Sequence, residues 1–267
     1  TDIYVGNDFH ENDYLYINQK DGTFKETLTE RIGHTSRFTM GVDIADMNQD
    51  NHPDIFSLDM LPYDARILLK SAGEDPNKVT EIKLRYGYAP QLARNNFQLN
   101  KGDGTFSEIA LFTETYATDW SWSVLLQDFN NDTRTDIFIS NGIYKRPNDL
   151  DYINYLSNIN LSLYSDEEQD SVENELIRRM PTLKIPNFLY LNKGEDDFSN
   201  NPSVSGFKEG TYSNGAVYAD FDNDGDLDLA INNVNQKASL LENKTDSLNY
   251  LKIKLNQDQA NSYALGS

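Results

Sequence analysis

Residues 220–228 read DFDNDGDLD, with an aspartate at every second position and a single glycine, Gly225. Carboxylates this close repel one another, so the bare loop is costly to fold. A hard cation removes that cost. Ca²⁺ takes six to eight oxygens, and side chains at positions 1, 3 and 5 of a tight loop can converge on it. Position 7 then offers its backbone carbonyl and position 9 closes the shell. The competing reading is an Asx-turn loop without metal, since Asp and Asn form such turns unaided.

Two further stretches align with this one without gaps: DMNQDNHPD at 46–54 and DFNNDTRTD at 128–136. The candidate ligands of the first loop are Asp46, Asn48, Asp50, His52 and Asp54. Those of the second are Asp128, Asn130, Asp132, Arg134 and Asp136, and those of the third Asp220, Asp222, Asp224, Asp226 and Asp228. His52, Arg134 and Asp226 stand at position 7, where a backbone carbonyl tolerates any side chain. An apolar run follows each loop, and TDIYVGND at the start resembles the tail of a fourth copy, with Asp2 at position 9. Two to three structural Ca²⁺ ions are expected. Mg²⁺ suits such a loop less well, because it keeps its waters. The loops are not EF-hands: position 12 is Ser57, Ile139 or Ile231 rather than Glu, and a strand-like run follows. Position 6 calls for positive φ, which Gly225 and Asn51 accept and the β-branched Thr133 resists.

A second motif alternates with the loops: YLYINQKDGTFKE at 14–26, FQLNKGDGTFSE at 97–108, FLYLNKGEDDF at 188–198 and the shorter SLLENK at 239–244. Alternating apolar residues, a Gly/Asp turn and an aromatic residue predict a β-hairpin. Asn18 to Asp46, Asn100 to Asp128 and Asn192 to Asp220 are each 28 positions apart. Length varies only between the strand after each loop and the next hairpin. Each unit is therefore strand, acidic loop, strand, variable connection, strand, turn, strand, and four strands per repeat predict a propeller blade.

Composition agrees. The 267 residues are 38% hydrophobic and include 16 Tyr and 13 Phe, enough for a core. With 23 basic and 43 acidic residues the net charge is −20, which disfavours nucleic acid and suits hard cations. There is no cysteine, so disulfides and thiolate metal sites are excluded. No apolar run approaches the roughly 18 residues of a membrane-crossing helix.

The loops resemble the FG-GAP and VCBS repeats of calcium-binding β-propellers. Residues 118–156 (TDWSWSVLLQDFNNDTRTDIFISNGIYKRPNDLDYINYL) and 57–69 (SLDMLPYDARILL) are similar to bacterial VCBS-repeat proteins with a C-terminal ASPIC/UnbV domain, many from Bacteroidota. The end, NYLKIKLNQDQANSYALGS, resembles the opening of that domain. The resemblance implies an all-β fold: four-stranded propeller blades with helical insertions, in a seven-bladed propeller of a secreted or outer-membrane-surface protein. Such proteins are often encoded beside SusC/SusD-type uptake systems. Thr133 and Arg134 depart from the family pattern and put the second site in question.

On this reading residues 1–247 are about four blades of a longer chain (1–38 in part, 39–117, 118–212 and 213–247), the missing ones preceding Thr1. Residues 248–267 begin the ASPIC/UnbV-like domain. Insertions at about 61–95 and 144–186 carry helical patterns: Asp64 as a cap, Asp75-Pro76 as a second start, Leu150, Ile153, Leu156 and Ile159 on one stripe, and a Ser165/Glu168 capping box. Joining strands two and three, they should emerge at the end opposite the acidic loops. Their stripes pack on the sheets or form a docking surface.

The expected function is non-catalytic: a binding or scaffold module with protein partners at the cell surface. The alternative is a carbohydrate-binding or polysaccharide-active protein, with Trp120 and Trp122 of DWSWS as a stacking platform. His10, His34 and His52 lie in no nucleophile or zinc motif.

Overall fold

A computed structural model describes residues 1–9, 11–72, 77–200, 202–245 and 253. The expected opening of a further domain at 248–267 therefore lies outside the described residues, Ile253 excepted. The first sheet contains β1 (Ile3–Val5), β2 (Tyr14–Asn18) and β3 (Phe24–Glu26). A short helix α1 (Leu28–Arg31) and strand β4 (Thr35–Ser36) lead to the second sheet. There β5 (Val42–Ala45) and β6 (Asp54–Ser57) precede helices α2 (Ala65–Leu68) and α3 (Asn77–Arg85) and strand β7 (Gln91–Leu92), which pairs parallel with β4. Strands β8 (Asn96–Asn100) and β9 (Phe106–Glu108) complete that sheet.

The third sheet repeats the plan with β10 (Ser121–Gln127), β11 (Asp136–Asn141), helices α4 (Leu150–Ser157) and α5 (Asp166–Arg179), then β12 (Phe188–Asn192) and β13 (Phe198–Asn200). After α6 (Pro202–Ser205) the fourth sheet holds β14 (Ser213–Ala219), β15 (Asp228–Asn233) and β16 (Ser239–Leu241). Within each of these four sheets neighbours in sequence are antiparallel neighbours in space. The fold is thus mostly antiparallel β with a few helices, in the strand order that the repeats predict.

Adjacent sheets pack through their first strands, β5 against β10 and β10 against β14. Alternation along a strand puts successive side chains on opposite faces, and β11 uses both. Ile137 and Ile139 join Phe56, Leu58, Phe97, Val124 and Leu126 in the core between the second and third sheets. Phe138 turns the other way, onto Phe129, Phe207, Leu229 and Ile231. A third cluster of Leu15, Leu28, Ile32, Ile55 and Ala89 joins the first and second sheets. A strand covered on both faces can be apolar throughout, and every residue of β11 is buried.

The insertions are helical. Asp64 Oδ1 accepts from Arg66 N at 2.8 Å at the start of α2. The expected start at Asp75-Pro76 lies outside the described residues, and α2 ends at Leu68. Gly87 follows α3 with φ +84. Asp149 caps α4 through Tyr152 N, and Glu168 Oε2 accepts from Ser165 N at the start of α5. Of the expected stripe on α4, Leu150 is exposed, Ile153 and Leu156 are half-buried, and Ile159 lies past the helix end. The core contact comes from Tyr152 instead. Val172, Leu176 and Met180 are half-buried, so α5 lies on the outside of the molecule, with Tyr152 Oη donating to Leu176 O.

Phe138 is fully buried and ringed by Phe129 and Phe207. Phe138→Ala is expected to cost about 3–5 kcal/mol, read as a lower urea midpoint with an unchanged m-value.

Candidate metal centre

The three acidic loops join the first and second strands of the second, third and fourth sheets. Their backbone is the same in each. Position 4 (Gln49, Asn131, Asn223) and position 6 (Asn51, Thr133, Gly225) all have positive φ, +63, +56 and +64, then +66, +73 and +97. The sequence pointed to position 6 only. Asn at position 4 is the signal that could have found the other, since short polar side chains tolerate this region.

In the first two loops the acidic side chains fold inward onto the loop backbone. Asp46 accepts from Asp50 N and Asn51 N at 3.1 and 2.8 Å; Asp128 accepts from Asp132 N and Thr133 N at 3.0 and 2.7 Å. Asn48 and Asn130 each accept from the position-5 N–H and donate their amide to the position-5 carboxylate. Asp50 and Asp132 in turn accept from the N–H of His52 and Arg134. Positions 1, 3 and 5 are thereby brought together around one loop interior. The side chains at position 7 point elsewhere: a Cβ on Gly102 would collide with the His52 ring, and one on Gly194 would press on the Arg134 guanidinium. Arg134 Nη1 also lies 3.4 Å from Asp132 Oδ2, so the second loop carries its own cation.

The third loop has carboxylates at all three positions, and one oxygen from each of Asp220, Asp222 and Asp224 lies within 4.8 Å of the others. Ca–O distances of 2.3–2.6 Å place ligands on opposite sides of an ion about 5 Å apart, so an all-oxygen set of this span fits Ca²⁺. Burial, with the Asp224 charge adding to it, raises the Asp222 carboxyl above its ordinary range. Asp226, at position 7, is pushed up to about 6 by burial and then by Asp224. Its side chain is buried, with Oδ2 accepting from Thr245 N at 2.9 Å and Oδ1 lacking a hydrogen-bond partner. In this loop, therefore, position 7 adds a buried carboxylate beyond the expected carbonyl.

Position 9 does something the sequence did not reveal. Asp54 Oδ2 accepts from Met47 N and Oδ1 from Asn100 N, at 2.9 and 2.8 Å. Asp136 takes Phe129 N and Asn192 N, and Asp228 takes Phe221 N and Asn243 N, at 2.8–3.0 Å. Asp2 accepts from Asn18 N in the same way. Asp54, Asp136 and Asp228 thus each clamp their own loop to the hairpin asparagine 46, 56 or 15 positions later. Burial first, with the carboxylates at positions 5 and 1 adding to it, raises Asp54 to about 6 and Asp136 to about 7. Like charge therefore gathers in each loop, offset in the second by Arg134.

Residues 1–57, from β1 through the first acidic loop to the end of β6, match the family model described as FG-GAP-like repeat. No curated protein matches the chain. The FG-GAP-like repeat is therefore present over that span, with its first acidic loop included.

Thr133 holds positive φ against its β-branch. Thr133→Gly is expected to stabilise the protein by about 0.5–1 kcal/mol in urea unfolding, the relief exceeding the entropy of the added glycine. Asp54→Ala leaves two N–H groups without acceptors and should cost about 2–4 kcal/mol in the same assay.

Proposed function

We propose that this chain is part of a calcium-stabilised β-propeller, seven-bladed in the whole protein, that serves as a non-catalytic binding or scaffold module. The observation that carries the proposal is the convergence of Asp220, Asp222 and Asp224 on one point. Three loops of one backbone geometry, each between the first two strands of a sheet, support it. Asp220, Asp222, Asp224 and Asp228 would hold the ion in the third loop, with Asp46, Asn48, Asp50 and Asp54 doing so in the first. In the first loop Asn48 would turn its amide oxygen inward. The second loop, with Asp128, Asn130, Asp132 and Asp136, is the weakest, because Arg134 already offsets part of its charge. The ion neutralises the loop and fixes its shape.

The setting that suits such loops is outside the cell, where millimolar calcium fills weak sites. The whole protein is proposed to lie at the bacterial outer-membrane surface or to be secreted, with an ASPIC/UnbV-type domain after the propeller. There it would serve a SusC/SusD-type uptake system or a comparable assembly, docking through the helical insertions. No described helix is long and apolar enough to cross a membrane.

A thermal melt with calcium and with excess chelator tests the metal. Binding at 100 times Kd contributes about 2.7 kcal/mol per site, or roughly 5–10 °C of Tm in a chain this size. Chelation should lower Tm by that amount. Asp220→Ala and Asp224→Ala should each blunt the response to calcium, while Asp132→Ala should blunt it least. A melt indifferent to calcium would leave the loops as Asx turns and remove the proposal.

A further inference from the structure

Two side-chain hydrogen bonds pass directly between the first and second acidic loops. Gln49 Nε2, at position 4 of the first loop, donates to Thr133 O at position 6 of the second, at 2.6 Å. Thr135 Oγ1, at position 8 of the second loop, donates to Asp46 O at position 1 of the first, at 3.1 Å. A third group bridges the two: Asn192 Nδ2 donates to Met47 O and to Thr135 O, at 2.9 and 3.1 Å. The junction between the second and third loops has the same asparagine bridge, from Asn243 Nδ2 to Phe129 O and Leu227 O. At the two crossing positions it has different residues. Leu227 offers no hydroxyl, and Asn131 is a methylene shorter than Gln49.

The crossing bonds end where loop shape is decided. Thr133 is the β-branched residue at φ +73, and Asp46 is the position-1 residue whose carboxylate gathers Asp50 N and Asn51 N. Backbone in a sparsely populated region persists only where its surroundings fix it, so the second loop draws support from the first at its most strained residue. Exposed loops open locally at little cost, and a cation binds only the closed form, in which positions 1, 3 and 5 converge. Whatever closes the first loop fixes Gln49 and Asp46 O, and these hold Thr133 and Thr135 in the second. Charge acts in the opposite sense, since an ion in one loop reduces the negative field that draws an ion to the other. That effect is screened over about 8 Å at physiological salt, whereas the hydrogen bonds are direct.

We propose that the first and second loops take up calcium as one coupled pair, an ion in either raising the affinity of the other, with the third loop outside the pair. Gln49 and Thr135 are the coupling residues, and neither is a candidate ligand. The inference rests on the calcium reading of the loops and adds to it a dependence between two of them. Coupling of binding is reciprocal, so each loop gains from the other by the same factor. The weaker second loop thereby fills over the same calcium range as the first.

Hydrogen exchange of the full chain tests this, read by mass spectrometry over residues 46–54, 128–136 and 220–228 at graded calcium and about 0.15 M salt. Each loop then yields its own calcium midpoint. Asp50→Ala, which removes a ligand of the first loop, should move the second loop's midpoint to about fivefold higher calcium and the third's by less than about twofold. The double variant Gln49→Ala/Thr135→Val keeps every candidate ligand. In that background Asp50→Ala should leave the second loop's midpoint in place, which isolates the link in a mutant cycle. An unmoved or lowered second-loop midpoint in Asp50→Ala, an equal shift of the third loop, or the same shift in the unlinked background would each overturn the coupling. So would calcium protection confined to the third loop, which leaves the calcium reading standing. Absence of calcium-dependent protection in all three loops would remove that reading and the coupling with it.

Discussion

Each acidic loop depends on one buried carboxylate. Asp54, Asp136 and Asp228 spend both oxygens on backbone N–H groups, one at position 2 of their own loop and one at the hairpin asparagine of the third strand. The clamp ties the first, second and third strands of a sheet at one end, across connections of very different length. Hydrogen bonds to a charged acceptor are stronger than neutral ones, and losing such an acceptor leaves two donors dry. The same asparagine then reaches the neighbouring sheet: Asn192 Nδ2 donates to Met47 O and Asn243 Nδ2 to Phe129 O. Sheet order and loop shape thus share one set of bonds.

The loops also touch one another. Gln49 Nε2 donates to Thr133 O at 2.6 Å, and Thr135 Oγ1 to Asp46 O at 3.1 Å, so the first and second loops are physically joined. This arrangement crowds the negative charge of a chain with net charge −20 along one end of the sheets. Arg134 answers part of it in the second loop, while the third gathers the densest carboxylates. The loops share their positive-φ positions and differ in the charge of the side chains at positions 3 and 7.

The opposite end is held mainly by buried amides and hydroxyls, joined by the carboxyl of Asp59. Ser121 and Ser213 donate to Asn141 and Asn233 at the ends of β11 and β15, and Ser36 donates to Asp59 beyond β6. Asn95 and Asn187 accept from the N–H of Asp59 and Asn141, and donate across to Thr118 and Ser213 of the next repeat. These buried amides and hydroxyls link repeat to repeat where the insertions begin, and the insertions then bridge to each other at Ser71 and Asp149. One end of the second, third and fourth sheets thereby gathers the acidic loops, and the other carries variable structure on a fixed polar seam.

The sequence alone determined the repeat. The 28-position register, the alternating hairpins and the gapless acidic loops prescribe strand order and turn positions, because these follow from period, turn chemistry and chain connectivity, all local. The candidate ligands at positions 1, 3 and 5 were legible for the same reason: five contiguous residues of one loop must face one another. Only the tertiary structure decided the rest. The second role of Asp54, Asp136 and Asp228 depends on an asparagine up to 56 positions away. The burial of Asp226 depends on Thr245, and the replacement of Ile159 by Tyr152 as the core contact of α4 depends on where that helix ends against α5. The bridge between the insertions depends on two segments whose sequences share no pattern. Contacts between distant segments are set by packing and by the need to satisfy buried polar groups, and neither leaves a periodic mark in the chain.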